Sequence, residues 1–281
     1  MVNRGRPQQA VSAMAIPHSN PSSSSTAPQA IILAAGIGKR MGSDLPKVIH
    51  PVADAPMIQW VVRACQSAGV GQCIVVIGHK GDLVREALAG FEGVVFVEQH
   101  DQLGTAHAAR MAEPLFANQP DLDTFVLAGD GPLIRARTLI RLLELHRRTR
   151  AAATLATAII EDPTGYGRIV RTPDGAFAHI VEQKDATPQQ RTIREVNPSY
   201  YCFRSGPLFR ALHEVGNANQ QGEFYLTDVP ARLKKQGQTV SVVEAVPPED
   251  VLSINTPDQL AEVDRLLRER HEAQASAEPA R

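Results

Sequence analysis

"AIILAAGIGKRMGSDLPKVIH", residues 30–50, decides how this chain is read. It opens as a run of apolar and β-branched residues, the composition of a buried strand. It turns at once into small residues with Gly36 and Gly38, then brings in Lys39, Arg40 and Lys47. A helix-like stretch, "MIQWVVRACQ", follows at residue 57. Strand, basic glycine loop and amphipathic helix in that order predict the start of an α/β unit.

Outward from that unit the alternation continues. "CIVVIGH", "GDLVREALAG", "VVFVEQ", a helical "AHAARMAEPLF" and "TFVLAGD" predict a mostly parallel sheet covered by helices on both faces. In such sheets ligands bind beyond the carboxyl ends of the strands, where the opening loop and "AGDGPLI" both fall. After residue 150 the rhythm changes. "AAATLATAII" is a further strand, and "GRIVRTPDGAFAHIVEQK" predicts a hairpin turning at Pro173, Asp174 and Gly175. Helices near 207–215 and 223–236, the strand "TVSVVEAV" and a closing helix from about 257 complete the pattern. The second half thus adds antiparallel pieces. There is no internal repeat, and no hexapeptide ladder of a β-helix follows.

Composition sets the outer bounds. The 281 residues are 43% hydrophobic and 21% charged, as in an ordinary globular protein, with a net charge of −1. No global positive field points to nucleic acid or an anionic membrane, so any phosphate binding has to come from a local site. Cys65, Cys73 and Cys202 have no metal-ligand spacing and read as core thiols of a reducing cytoplasm. No apolar run approaches the roughly 20 residues that span a bilayer. Residues 1–28 contain no acid, are rich in Ser, Pro and Gln, and read as a disordered tail. The single domain is expected over 29–265, with a helix end and tail at 266–281.

The opening loop is neither a P-loop nor a dinucleotide fingerprint, because Met41 stands where the third glycine of the latter belongs. What remains is a turn with bare backbone N–H groups and three cations, which suits a polyphosphate. From spacing alone an anion site and a plain glycine turn with a solvated basic rim stay equally open. In "VLAGDGPLI", Asp130 follows a buried strand, either as a Mg²⁺ ligand or as the cap of a helix starting near Ile134. "TGYGRIVR" and "IVEQKDAT" hold Gly165, Gly167 and Glu182, backbone turns and an acceptor carboxylate of the kind that line sugar pockets. In "QQGEFYLTD" the stronger reading of Phe224, Tyr225 and Leu226 is that they pack a helix. His50 and His107 lack companions at catalytic spacing and read as structural.

The stretches "LAAGIGKRMGSDLPKVIHPV", "EQHDQLGTAHAA", "GDGPLI", "DPTGYGRIVR", "IVEQKDAT", "NQQGEFYLTD" and "SINTP" occur in that order. Together, over about residues 29–265, they resemble the uridyltransferase domain of bacterial N-acetylglucosamine-1-phosphate uridyltransferases. The resemblance implies a Rossmann-like nucleotidyltransferase fold. It also implies a cytoplasmic enzyme that joins UTP to N-acetylglucosamine 1-phosphate, releases pyrophosphate and supplies a peptidoglycan precursor. Matched by motif, Leu33, Ala35, Gly36 and Gly38 with Arg40 and Lys47 are expected around the nucleotide and its phosphates. Gln99, Gln102, Gly104 and Thr105 are expected on the uracil side, and Asp130 with Asn255 on Mg²⁺. Gly167, Glu182, Asn197, Glu223 and Tyr225 are expected toward the sugar. Catalysis is expected from Arg40, Lys47 and Asp130 by charge neutralisation rather than by a general base.

Two departures from the family pattern stand out. Longer members carry a β-helix acetyltransferase domain with no counterpart in this sequence, so acetyl transfer is not expected of it and trimerisation is expected to lose its usual basis. Pro198 and Ser199 follow Asn197, where the family has a small hydroxyl residue and glycine, so the sugar identity stays open. The alternatives are a transferase for another sugar 1-phosphate or nucleotide, and a non-catalytic nucleotide-sugar sensor. A sensor is expected to lose the metal residues or the loop cations, and all of them stand in this sequence.

Overall fold

The quoted apolar run forms β1 (Gln29–Leu33), with Ala30, Ile31 and Ile32 fully buried. The structure is a computed structural model and describes residues 27–36, 38, 41, 43–117, 122–254 and 256–277. β1 lies between two parallel neighbours, β4 (Gln72–Ile77) and β6 (Asp123–Ala128), so Ile32 sits opposite both Val75 and Leu127. A short β2 (Pro51–Val52) and β3 (Ala55–Pro56) ribbon precedes α1 (Met57–Ser67), which leads into β4. α2 (Gly81–Ala87) leads to β5 (Val94–Glu98), parallel to β4 at the sheet edge. α3 (Thr105–Arg110) then carries the chain back to β6, on the other side of β1. Successive residues Ile31 and Ile32 enter different core clusters, as both faces of a covered parallel sheet require.

α4 (Ala136–Thr149) buries Leu139, Leu142, Leu143 and His146 at helical spacing and connects to β7 (Ala153–Ile159). Here the parallel order stops. β8 (Gly167–Arg171) and β9 (Phe177–Val181) form the expected hairpin, turning at Gly175 with φ +84°. After the one-turn α5 (Pro188–Arg191), β10 (Glu195–Asn197) joins β8 to β7. β11 (Tyr200–Arg204) inserts antiparallel between β6 and β7. The ten-stranded sheet therefore runs β5-β4-β1-β6-β11-β7-β10-β8-β9, with β12 (Val240–Glu244) also pairing with β7. This mixed sheet flanked by helices is the expected nucleotidyltransferase-like α/β architecture.

Three helices differ from the pattern reading. "AHAARMAEPLF" divides into α3 and a separate 3₁₀ turn, Glu113–Phe116, because Pro114 cannot donate the N–H that a continuing helix needs. The helix expected over 223–236 is a 3₁₀ turn, Leu226–Asp228, and α7 (Val229–Lys235) with Pro230 in its first turn. Residues 223–225 stay extended because Phe224 donates to Leu103 O and accepts from Ala106 N, each at 2.8 Å. α6 (Ser205–Glu214) starts earlier than expected, directly after β11.

α8 (Pro257–Ala277) runs unbroken through residue 265 and buries Val263 and Leu267 against Met57, Leu133 and Ile254. Asp264 Oδ1 accepts from Ala53 N at 2.7 Å, and Arg268 reaches Asp54 at 2.8 and 2.9 Å, tying the helix to the β2–β3 ribbon. No described helix is long and apolar enough to cross a membrane. The three cysteines are buried and form no disulfide.

Candidate active site

The order of the parallel strands reverses at β1, so the loops leaving β1 and β6 part at their carboxyl ends and open a crevice between them. The loop after β1 returns at a 3₁₀ turn, Lys47–Ile49, and brings Lys47 across from Asp130, two residues past the end of β6. Lys47 Nζ donates to Asp130 Oδ2 in a half-buried pair whose side chains are 12% and 24% exposed. Gly38 lets the loop lie against this lysine. Its φ is +68°, and a Cβ there would come within 2.8 Å of Lys47 Cβ. α4 begins at Ala136 with no side-chain cap, so Asp130 does not cap it, contrary to the alternative reading of that residue.

A cavity of about 340 Å³ opens over this pair. One end is walled by Leu33, Ala35, Gly36, Gln99, Gln102 and Gly104, with Thr105 beside them. Gln102 Nε2 donates to Ala35 O at 2.9 Å, joining the first loop to the segment after β5. Gln99 is 4% exposed, and its Nε2 meets Gly104 O at 3.1 Å and His107 Nδ1 at 2.9 Å. His107, read from the sequence as structural, thus orients a cavity side chain. Thr105 Oγ1 accepts from Leu226 N at 2.9 Å, and Gly104 closes the join between the two segments.

Gly104 has φ +116°, and a Cβ would lie 2.6 Å from Phe224 O and 2.7 Å from Phe224 N. Both obstacles are backbone, so neither can swing aside. Gly104→Ala is therefore expected to cost about 2 kcal/mol, lowering Tm by roughly 4–8 °C. A thermal melt that coincides with the parent would show that the 103–106 segment yields.

The other end of the cavity is built by Glu182, Glu223, Ser199, Tyr201, Leu226 and Thr227. Burial pushes the Glu182 carboxyl above the ordinary carboxylate range; Asp185 and Asp228 add to this, and the Thr227 hydroxyl, donating at 3.0 Å, opposes it. Burial also pushes the Tyr201 hydroxyl upward, so it stays a neutral donor and acceptor. Asn197 Nδ2 donates to Tyr201 Oη at 2.6 Å and Asn197 Oδ1 accepts from Ser199 N at 3.2 Å. Asn197 therefore stands behind the lining rather than in it. Ser199 adopts a left-handed φ of +64°, a costly place for a residue with a Cβ.

Not every expected residue meets at the cavity. Gly38 packs on Lys47 instead of lining it, and Gly167 lies beside it, where a Cβ would be 3.6 Å from both Glu182 carboxylate oxygens. Tyr225 lines a neighbouring cleft with Asp185, Asp228 and Arg232. Burial there raises its hydroxyl to about 12, and Gln221 Nε2 donates to it at 2.8 Å. Arg40 and Asn255 lie outside the described residues. Ser199, Tyr201 and Thr227 were not among the expected site residues. Only the unusual Pro198-Ser199 pair offered a signal for any of them.

Comparison with known proteins places this geometry. A family model described as a MobA-like NTP transferase domain matches residues 30–227. The chain belongs to this family. It is a nucleotidyltransferase, as its motifs led us to expect. The transferase is 46% identical over 246 residues to the bifunctional protein GlmU of Geobacter metallireducens, covering 86% of this chain and 50% of that protein. Against the GlmU proteins of Brevibacillus brevis and Geobacillus thermodenitrificans identity is 46% and 47%, over 86% of this chain and 52% of each relative. The chain thus spans about half the length of the curated relatives it matches. A crystal structure of UDP-glucose pyrophosphorylase complexed with UDP-glucose shares the fold, with TM-score 0.70, 17% identity, and coverage of 87% of this chain and 99% of that one.

Divalent metals are general in transferases of this kind, and the donor set at the cavity fits one. Among the described residues no three acidic, His or Cys side chains gather into a closed cage. Asp130 instead offers a hard carboxylate at the cavity floor beside a lysine. That matches an ion held by one or two protein oxygens and completed by substrate phosphates and water.

Proposed function

We propose that the transferase joins UTP to N-acetylglucosamine 1-phosphate, giving UDP-N-acetylglucosamine and pyrophosphate. The observation that carries this reading is one cavity with amide and backbone groups at one end and acceptor carboxylates and hydroxyls at the other. The Lys47–Asp130 pair lies between them. The first end suits a base and its phosphates, the second an N-acetylated sugar.

In this scheme a phosphate oxygen of the sugar phosphate attacks the α-phosphorus of UTP in line. A P–O bond forms there as the bond to the β-phosphate oxygen breaks, and that oxygen leaves with pyrophosphate. The attacking phosphate is already anionic, so no residue has to remove a proton. What the protein supplies is alignment of two mutually repelling anions and neutralisation of charge at the α-phosphate. Lys47 does the latter with Arg40. Asp130 and Asn255 would hold Mg²⁺, which would supply neutralisation of phosphate charge. Gln99, held by His107, and Gln102, held by Ala35 O, fix the nucleotide end. Glu182, Thr227, Tyr201 and Ser199 meet the sugar hydroxyls and amide.

One observation favours a second reading of the acceptor. Ser199 puts a hydroxyl into the wall where the family resemblance leads us to expect glycine, which suits a sugar differing from N-acetylglucosamine in one polar group. One assay tests both readings. Purified protein with UTP and Mg²⁺ is expected to release pyrophosphate when N-acetylglucosamine 1-phosphate is added, and to stay silent without it. A faster rate with another sugar 1-phosphate would overturn the acceptor assignment in favour of the second reading.

A further inference from the structure

Between α1, the start of α4 and α8 lies a separate cleft of about 390 Å³, sharing no lining residue with the cavity at Asp130. Arg63, Arg135, Arg137 and Arg270 all open onto it, together with Trp60 and His271. Two of these guanidinium groups are matched. Arg135 reaches Asp250 Oδ1 at 2.7 Å and Glu249 at 3.2 Å, and Arg270 shares the same buried Asp250. The other two are not. Arg63 donates to the neutral Gln59 Oε1 at 3.0 Å and lies 4.8 Å over the Trp60 ring. Among the described residues, neither Arg63 nor Arg137 has a carboxylate within ion-pair distance. A chain of net charge −1 therefore concentrates two unmatched positive charges in one concavity.

We propose that this cleft binds a small phosphate-bearing anion at a site distinct from the transferase cavity. Guanidinium groups suit phosphate oxygens, and the apolar wall of Ala64 and Leu267 suits the organic part of an ester. The volume falls within the roughly 300–1,000 Å³ of small-molecule sites. The first turn of α4, which lines the cleft from 135 to 137, carries no acid and no side-chain cap that would oppose an anion. Occupancy also reaches the chemistry. Pro132 and Ile134, two and four residues past Asp130, form part of the wall, and Arg270 Nη1 holds Leu133 O at 3.0 Å.

Trp60 is the sole tryptophan of the chain, and its ring lies 4.8 Å from that of His271, so its emission reports on this cleft. Titration with pyrophosphate, against chloride at equal ionic strength, is expected to change Trp60 emission saturably. Parallel titrations with inorganic phosphate and a nucleoside monophosphate separate the inorganic ion from the ester. The response is expected to persist in Lys47→Ala, whose change lies in the other cavity. In Arg137→Ala, and in the Arg63→Ala/Arg137→Ala double variant, the midpoint should rise about tenfold or more. Basal kcat should stay unchanged in Arg137→Ala. A response that is absent, that survives loss of Arg137 unchanged, or that disappears in Lys47→Ala would overturn the proposal.

Discussion

Replacing Lys47 by alanine is expected to lower kcat/KM by about 10²–10³-fold, the effect of removing one donor aimed at developing charge. The expectation follows from where the ammonium sits. Lys47 is half-buried at the crossing of the two loops, where reduced screening by water strengthens its pull on a phosphate. Its stem is held against Gly38, so the charge is placed before substrate arrives. The loss should fall mainly on kcat, because charge at the α-phosphate grows as the bond to pyrophosphate breaks. Single-turnover measurement of pyrophosphate release separates this from weaker binding. A rise in KM alone, with kcat intact, would mean that Lys47 only holds the triphosphate.

Asp130→Asn should be more damaging, with turnover down by about 10³-fold or more, since in the proposed scheme Asp130 is a metal ligand rather than a single donor. The substitution keeps the shape of the side chain, and the fold should survive within about 1–2 kcal/mol, because the Lys47–Asp130 pair keeps some contact with solvent. The two residues touch, so their effects should not add. The double variant Lys47→Ala/Asp130→Asn is expected to lose much less than the product of the single losses. Excess Mg²⁺ or Mn²⁺ should partly restore Asp130→Asn and leave Lys47→Ala unchanged. Full activity in Asp130→Asn at ordinary metal concentration would remove the carboxylate from the proposed metal site.

The part of the site that could be read from the sequence is the part built by local rules. Asp130 follows β6 within two residues and Lys47 lies in the long loop that leaves β1, so a carboxyl-end position is implied by the apolar runs before them. Gln99 and Gln102, named by the family resemblance alone, lie at the same edge just beyond β5. Tyr201 and Thr227 were not legible because their neighbours in sequence are core residues and their own side chains match a packing pattern. They reach the cavity only because β11 inserts antiparallel beside β6, and because the 223–226 segment bonds to 103–106. Neither pairing is written in a periodicity. The same long-range bonds defeated the helix expected from residue 223.

The insertion of β11 has a mechanical consequence. Tyr200 to Arg204 pair with β6 on one edge, and Tyr201 to Phe203 pair with β7 on the other. The strand that carries Tyr201 is thus laced to the strand that leads into Asp130. Tyr201 at one end of the cavity and Asp130 at its floor are therefore joined through paired backbone, not across a flexible link. Closure over bound substrates is accordingly expected from a loop folding down onto this sheet, not from the two strands moving apart.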